Sequence, residues 1–212
     1  NSRNGISIIG VNGWNFGPAD LSNFNITETS LLVLSSTNIH LTGINASGSA
    51  GYTGYGIRVS QTSNSVISGN TVHNRIVGLQ IDGNTNFSNN IIDSNDFSNN
   101  TYGIGSYAFS LLGDGNSITN NNLSNSKLLS LEVCGDDSLI ISNNDYTNSA
   151  NGISLRSFNG WSFGPLDLST YNIPGVGIQF SYSSNVSLSG INASGSGKTG
   201  YGIFLYEVQN AT

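Results

Sequence analysis

Charge is what this sequence has least of. Only 8% of its 212 residues are Asp, Glu, Lys or Arg, and six Lys and Arg against twelve Asp and Glu leave a net charge of −6. So few cations cannot be gathered into a patch that neutralises phosphates, which excludes nucleic acid as a partner. Proline is also scarce, with three residues, and Ala, Glu and Lys are too few for long helices. The lone cysteine, Cys134, forbids an internal disulfide. Few thiols and few charges together suit an external protein. No apolar run approaches the roughly 20 residues of a membrane helix, and no signal peptide is present. The chain begins at Asn1 rather than at a methionine, as a mature or excised segment would.

What remains is a polar, uncharged chain with apolar residues spread through it. Hydrophobic residues reach 36%, mostly Ile, Leu, Val, Phe and Tyr in short alternating runs, the pattern of β-strands. A long internal repeat is plain. NSRNGIS at 1–7 returns as NSANGIS at 148–154, and NGWNFGPADLS at 12–22 returns as NGWSFGPLDLS at 159–169. GINASGS at 43–49 returns at 190–196, and TGYGI at 53–57 returns at 199–203. Residues 1–66 therefore match 148–212, offset by 147 residues and, after one deletion near Tyr52, by 146.

A shorter period lies inside the long one. A small residue followed by an aliphatic one recurs at Gly5-Ile6, Ser30-Leu31, Gly56-Ile57, Gly78-Leu79, Gly103-Ile104, Gly152-Ile153, Gly177-Ile178 and Gly202-Ile203. Leu128-Leu129 fills the remaining place, so the steps run from 22 to 26 residues. Six such steps carry Gly5 to Gly152, so the two periods agree. In several coils an Asn follows the Gly by eight residues, at Asn38, Asn64, Asn86, Asn185 and Asn210. A second alternating run comes next, as in Ile39-x-Leu41 and Val186-x-Leu188, then a third at Ile44, Val72, Phe97 or Leu123. Three period-two strands per repeat predict an all-β fold, a right-handed parallel β-helix of about nine coils forming a single domain over 1–212. At about 4.8 Å per coil this is a rod of roughly 40 Å. Like residues then stack in register. Stacked charges would repel by a few kcal/mol at an effective dielectric near 20, which accounts for their scarcity, while stacked Asn can hydrogen-bond along the axis. The Gly before the first strand is expected to supply a turn conformation.

Some residues stand out as candidates for function. Trp14 and Trp161 fall on inward positions of the second strand, which makes them core; an exposed aromatic platform for sugar is the competing use. Asp114, in LLGDGN, and Asp136 and Asp137, in CGDDS, lie at similar points of consecutive coils and converge on one edge. Asp is a common turn residue. The same three carboxylates also fit Ca²⁺, which takes oxygen ligands, or an acid–base pair for glycoside chemistry. No other cofactor is suggested. Sequons of the N-x-[ST] type number about what 32 Asn would produce by chance, though Asn45 and Asn192 recur in a repeated stretch and are candidate glycosylation sites. His40 and His73 lie apart in the coil register, and His40 should point outward.

The repeats GIRVSQTSNSVISGNTVHN at 56–74 and GIQFSYSSNVSLSGINASG at 177–195 resemble parallel β-helix repeats of the pectin-lyase-like superfamily. In style they are similar to the NosD-like repeats of large archaeal and bacterial surface proteins. The resemblance implies an extracellular or cell-surface location. Its enzymes act on polysaccharide. For the polygalacturonase pattern, Asp136-Asp137 match the D-D and Asn84-Thr85-Asn86 stands where N-T-D is wanted, but G-H-G and R-I-K are absent. The expectation is therefore a structural repeat protein of a surface layer, sheath, filament or adhesin stalk, with itself as partner through end-to-end or lateral assembly. A polysaccharide-binding or polysaccharide-cleaving module is the alternative.

Overall fold

The computed structural model describes residues 2–49, 53–82, 86–106, 111–135, 137–194 and 200–212. Alternating side chains need one dry face and one wet face, and each coil provides them by laying its strands beside those of the next. Nine strands form one sheet in chain order: Ser2–Ile9, Ile26–Leu34, Tyr55–Ser60, Val77–Asp82, Tyr102–Ser106, Leu129–Cys134, Ile153–Arg156, Ile178–Ser181 and Ile203–Tyr206. Every pairing is parallel. A second sheet stacks Asn15–Phe16, His40–Thr42, Val66–Ser68, Ile91–Asp93, Ser117–Thr119 and Ile140–Ser142, and its pattern resumes in Ser162–Phe163 with Ser187–Leu188. A third column pairs Ala19–Asp20 with Ile44–Asn45 and Leu166–Asp167 with Ile191–Asn192. Single bridges join Asn45, Thr71, Asp96, Asn122 and Asp145 between them. The fold is the all-β parallel solenoid with three short strands per coil that the periodicity predicts. Among the described residues the one helical element is a 3-10 turn at Ser22–Phe24.

The core is the stack of inward columns. Leu31, Ile57, Leu79, Ile104, Leu131, Ile153 and Ile178 are register partners on successive rungs, and all are buried. One rung differs from the sequence reading. Leu131, not Leu129, partners Ile104, while Leu129 sits opposite Tyr102 and Leu128 is exposed. Adjacent leucines imitate the small-aliphatic signature two residues early, and the rungs are spaced by 22 to 27 residues instead of 22 to 26. The glycines of this column also have a different cause from the one expected. Gly78 and Gly103 are not left-handed. A Cβ on either would lie 2.6 Å from the carbonyl oxygen of Gly103 or Ser130 on the next rung, so close approach of the backbones demands them. Left-handed residues occupy another column, at the turn into the second strand: Gly13, Asn38, Asn64, Asn89, Gly115, Gly160, Asn185 and Asn210. In its coil Asn89 holds that place, three residues past the expected Asn86. Within this column one Asn pair bonds directly, Asn210 donating to Asn185 at 3.0 Å. Asn38 and Asn185 donate to Asn12 and Asn159 at 2.7 and 3.0 Å, each one residue before the column's glycine in the coil below.

A second asparagine ladder runs inside the solenoid, between the second and third strands. Asn70, Asn95, Asn121 and Asn144 are buried. Each of the first three donates its amide to the Oδ1 of the next at 2.9, 2.9 and 3.0 Å, and that same Oδ1 accepts the backbone N–H of the residue below at 3.0, 3.0 and 2.9 Å. The remaining amide protons go to the carbonyls of Leu41, Ile67, Ile92 and Ile118. The backbone turns inward here and would otherwise bury unpaired groups. Arg75 solves a similar problem. Its side chain is 2% exposed and meets no carboxylate among the described residues. Nε, Nη1 and Nη2 donate to the carbonyls of Ala46, Ile26, Thr53 and Ser47 and to Ser30 Oγ, at 2.6 to 3.3 Å. Burial holds its guanidinium below the ordinary arginine range.

The paired tryptophans occupy equivalent inward positions in unequal surroundings. Trp161 is 5% exposed and stacks on Phe158 at 4.4 Å, whereas Trp14, in the first coil, is 43% exposed. Trp161 packs against Phe158, Phe163 and Phe180, whereas Trp14 meets Phe16, with ring centroids 5.5 Å apart.

Candidate functional site

Asp114 and Asp137 lie three residues before Ser117 and Ile140, which are partners on adjacent rungs. These two exposed acids therefore lie at equivalent points of neighbouring coils. Asp137 Oδ1 accepts the backbone N–H of Asn159 at 2.8 Å, and the Asp114 carbonyl accepts that of Asn89 at 3.0 Å. Asp136, like Asn84 and Thr85, lies outside the described residues. Among the described residues no three His, Cys, Asp or Glu side chains are grouped to hold a metal ion. Asn45 and Asn192 hold equivalent corners of the third column, each accepting a backbone N–H two residues on, from Ser47 and Ser194, at 3.2 Å. Asn192 is exposed and Asn45 half-buried. His40 points outward and is exposed, as its place between Ile39 and Leu41 predicts.

Spacing did not reveal the most structured polar feature of the surface, which is a groove on the outer face of the long sheet. Strand pairing aligns Arg58, Gln80, Gly105, Glu132, Ser154 and Gln179 as one outward column. Tyr55, Val77, Tyr102 and Leu129 form the column beside it. Two cavities, of 290 and 400 Å³, meet along this face and share Tyr102 and Glu132. Arg156 Nη2 lies 3.2 Å from Glu132 Oε1. Burial raises the Glu132 carboxyl above its usual range against the pull of Arg156, and burial together with Glu132 raises the Tyr102 phenol. Further along, Arg58 Nε meets Asp82 at 2.6 Å, and the guanidinium carbon lies over the Tyr55 ring, 5.4 Å from its centroid. The groove is thus internally charge-balanced. It also holds buried polar atoms that have no hydrogen-bond partner among the described residues: Ser154 Oγ, on a residue 3% exposed, Arg156 Nε and Ser106 Oγ. Such groups cost free energy unless something else pairs with them. Neutral hydroxyl-rich and amide-rich ligands fit this lining of serine, glutamine, tyrosine and aliphatic side chains. The signal in the sequence was faint, because Glu132 and Arg156 are 24 residues apart and become neighbours only through coil register.

No family model matches this chain, and no curated protein matches it in sequence. Among solved structures it is similar to that of QnrB1, a plasmid-mediated fluoroquinolone resistance protein, at 12% identity over 91% of each chain. The TM-score of 0.24 is too low to carry an argument about function. By its own strand register the chain is a parallel β-solenoid repeat protein.

Proposed function

We propose that the chain is a structural coil array of an extracellular or cell-surface protein, serving in a surface layer, sheath, filament or adhesin stalk. The pectin-lyase-like, NosD-like style of its repeats supports this reading. The observation that carries it is the unbroken parallel stacking of the rungs: Leu31, Ile57, Leu79, Ile104, Leu131, Ile153 and Ile178 follow one another in register, and each is buried. A column that repeats with every coil accepts further coils by the same strand pairing. A copy-to-copy contact of this head-to-tail kind is heterologous and propagates into open filaments. Electron microscopy of the purified chain near neutral pH tests it. Fibres, tubes or sheets are expected; single particles across a wide concentration range would remove self-assembly from the proposal.

A second reading is favoured by the unsatisfied atoms in the groove, namely that this face binds polysaccharide. An oligosaccharide panel tested by calorimetry, with Glu132→Gln and Ser154→Ala as variants, decides it. Loss of binding in both variants supports a groove site. Loss on replacing Asp136 and Asp137 by Asn instead would move the site to the acidic edge. Among the described residues no helix is long and apolar enough to cross a membrane.

A further inference from the structure

The two copies of the long repeat share a backbone path but not an outer surface. Ser35, Arg58, Ser60 and Gln61 of the first copy are replaced by Tyr182, Phe204, Tyr206 and Glu207 in the second, while Tyr55 is kept as Tyr201. The rings assemble. Tyr201 and Phe204 lie 5.0 Å apart at 18°, and Phe204 and Tyr206 lie 6.4 Å apart at 23°, so the three rings are stacked with their planes roughly parallel. Tyr182 closes one end, edge-on to Tyr206 at 5.4 Å and 87°. The three tyrosines are exposed. Tyr182 is also held at φ 53, a left-handed place that Ser35 and Ser157 fill on other rungs. Bulky side chains resist that conformation, and such strain gathers at sites of function. Tyr182 and Glu207 border a cavity of 570 Å³. Glu207 reaches the Tyr206 hydroxyl and, with Tyr182, holds that phenol above its usual range.

The first copy displays what such a surface receives. There the Tyr55 ring carries the Arg58 guanidinium, itself neutralised by Asp82. The second copy keeps this aromatic face as Tyr201, adds those of Tyr182, Phe204 and Tyr206 and the carboxylate of Glu207, and has Phe204 at the guanidinium position. In a chain of net charge −6, aromatic faces beside a carboxylate favour an external cation over an anion. We propose that the Tyr182–Tyr201–Phe204–Tyr206 face, flanked by Glu207, docks the guanidinium groups of an arginine-bearing polypeptide segment. The proposal does not depend on the scaffold reading, because these side chains face outward from the sheet.

The test is fluorescence anisotropy of a labelled Arg-Gly repeat peptide titrated with the full chain, beside the same peptide carrying neutral citrulline for arginine. The informative variant is Tyr182→Ser/Phe204→Gln/Tyr206→Ser. Ser157, Gln179 and Ser181 already hold those columns on neighbouring rungs, and the net charge is unchanged, so unspecific attraction to an acidic protein is retained. Saturable binding of the arginine peptide is expected, weaker by about tenfold for the triple variant and for citrulline, and by about threefold for Glu207→Gln. Absence of saturable binding, or equal binding by the triple variant with its circular dichroism intact, overturns the proposal. So does binding of neutral oligosaccharide to these rings where the arginine peptide fails.

Discussion

Replacing Asn121 with leucine isolates the energetics of the internal ladder, because the side chains are close in volume and the backbone is untouched. Asn121 Oδ1 accepts two bonds, from the Asn95 N–H at 3.0 Å and the Asn95 amide at 2.9 Å. Its own amide donates to Asn144 Oδ1 at 3.0 Å and to the carbonyls of Ile92 and Thr119 at 3.0 and 2.9 Å. Leucine leaves two donors of Asn95 without an acceptor in a site that excludes water, and the Ile92 carbonyl loses its side-chain donor. At about 1–3 kcal/mol for each stranded group, partly offset by the added apolar burial, the loss should be about 3–5 kcal/mol. Urea unfolding followed by circular dichroism reads it as a lower midpoint at unchanged slope. Asn143→Gly is the control: exposed and left-handed at φ 55, it should shift stability by only a few tenths of a kcal/mol. Ladder cooperativity adds a second signature. Asn95→Ala and Asn121→Ala should be non-additive, since the second substitution removes a partner that the first has already lost. A loss under about 1 kcal/mol for Asn121→Leu, or strict additivity, would refute the view that these bonds hold the corner.

Arg75→Leu should cost at least about 3 kcal/mol in chemical denaturation, because it strands several buried carbonyls on neighbouring coils. Gly78→Ala and Gly69→Ala should destabilise for different reasons. The first drives a Cβ against the Gly103 carbonyl at 2.6 Å and should cost about 1–3 kcal/mol, and the second, with open space but φ +61, about 1 kcal/mol, both measured by thermal melting. Asp93 accepts from Thr119, Ser94 and Asn120 at 2.6, 2.7 and 2.7 Å, and these bonds, Thr119 first, hold its carboxyl below the usual carboxylate range. A depressed folded pKa gives stability that is present above the ordinary carboxylate value and lost as pH falls through the folded one. Asp93→Asn should therefore be less stable than wild type at neutral pH and converge with it in strong acid, as urea midpoints across pH would register.

How much was legible depended on whether a property repeats with the coil. Alternating apolar residues at a spacing near 25 are enough to predict rungs, parallel stacking and the inward columns, since burying such a pattern requires like residues on successive coils. Column membership was less secure where local sequence is degenerate. Leu128-Leu129 imitates Ser130-Leu131, and Asn86 imitates Asn89, because several neighbouring residues satisfy the same short pattern and only hydrogen-bond register selects one. The internal ladder was within reach: Asn70, Asn95, Asn121 and Asn144 each precede by two an apolar residue of the third strand, Val72, Phe97, Leu123 and Tyr146. An Asn-rich chain conceals such a series, and burial alone distinguishes it from the turn asparagines.

By itself the sequence determined the class of fold, the period, the scarcity of charge and the doubling of a long unit, all of which follow from composition and spacing along one dimension. Only the tertiary structure decided which polar residues are buried, that Arg75 is solvated by carbonyls from neighbouring coils, and that Glu132, Ser154 and Arg156 share a groove. It also decided that Tyr182, Tyr201, Phe204 and Tyr206 make one surface. The physical reason is the winding of the chain. Residues about 25 apart become neighbours at one rung's distance, so a slip of one or two residues in a turn moves a side chain between core, corner and outer face without altering the repeat that announces the fold.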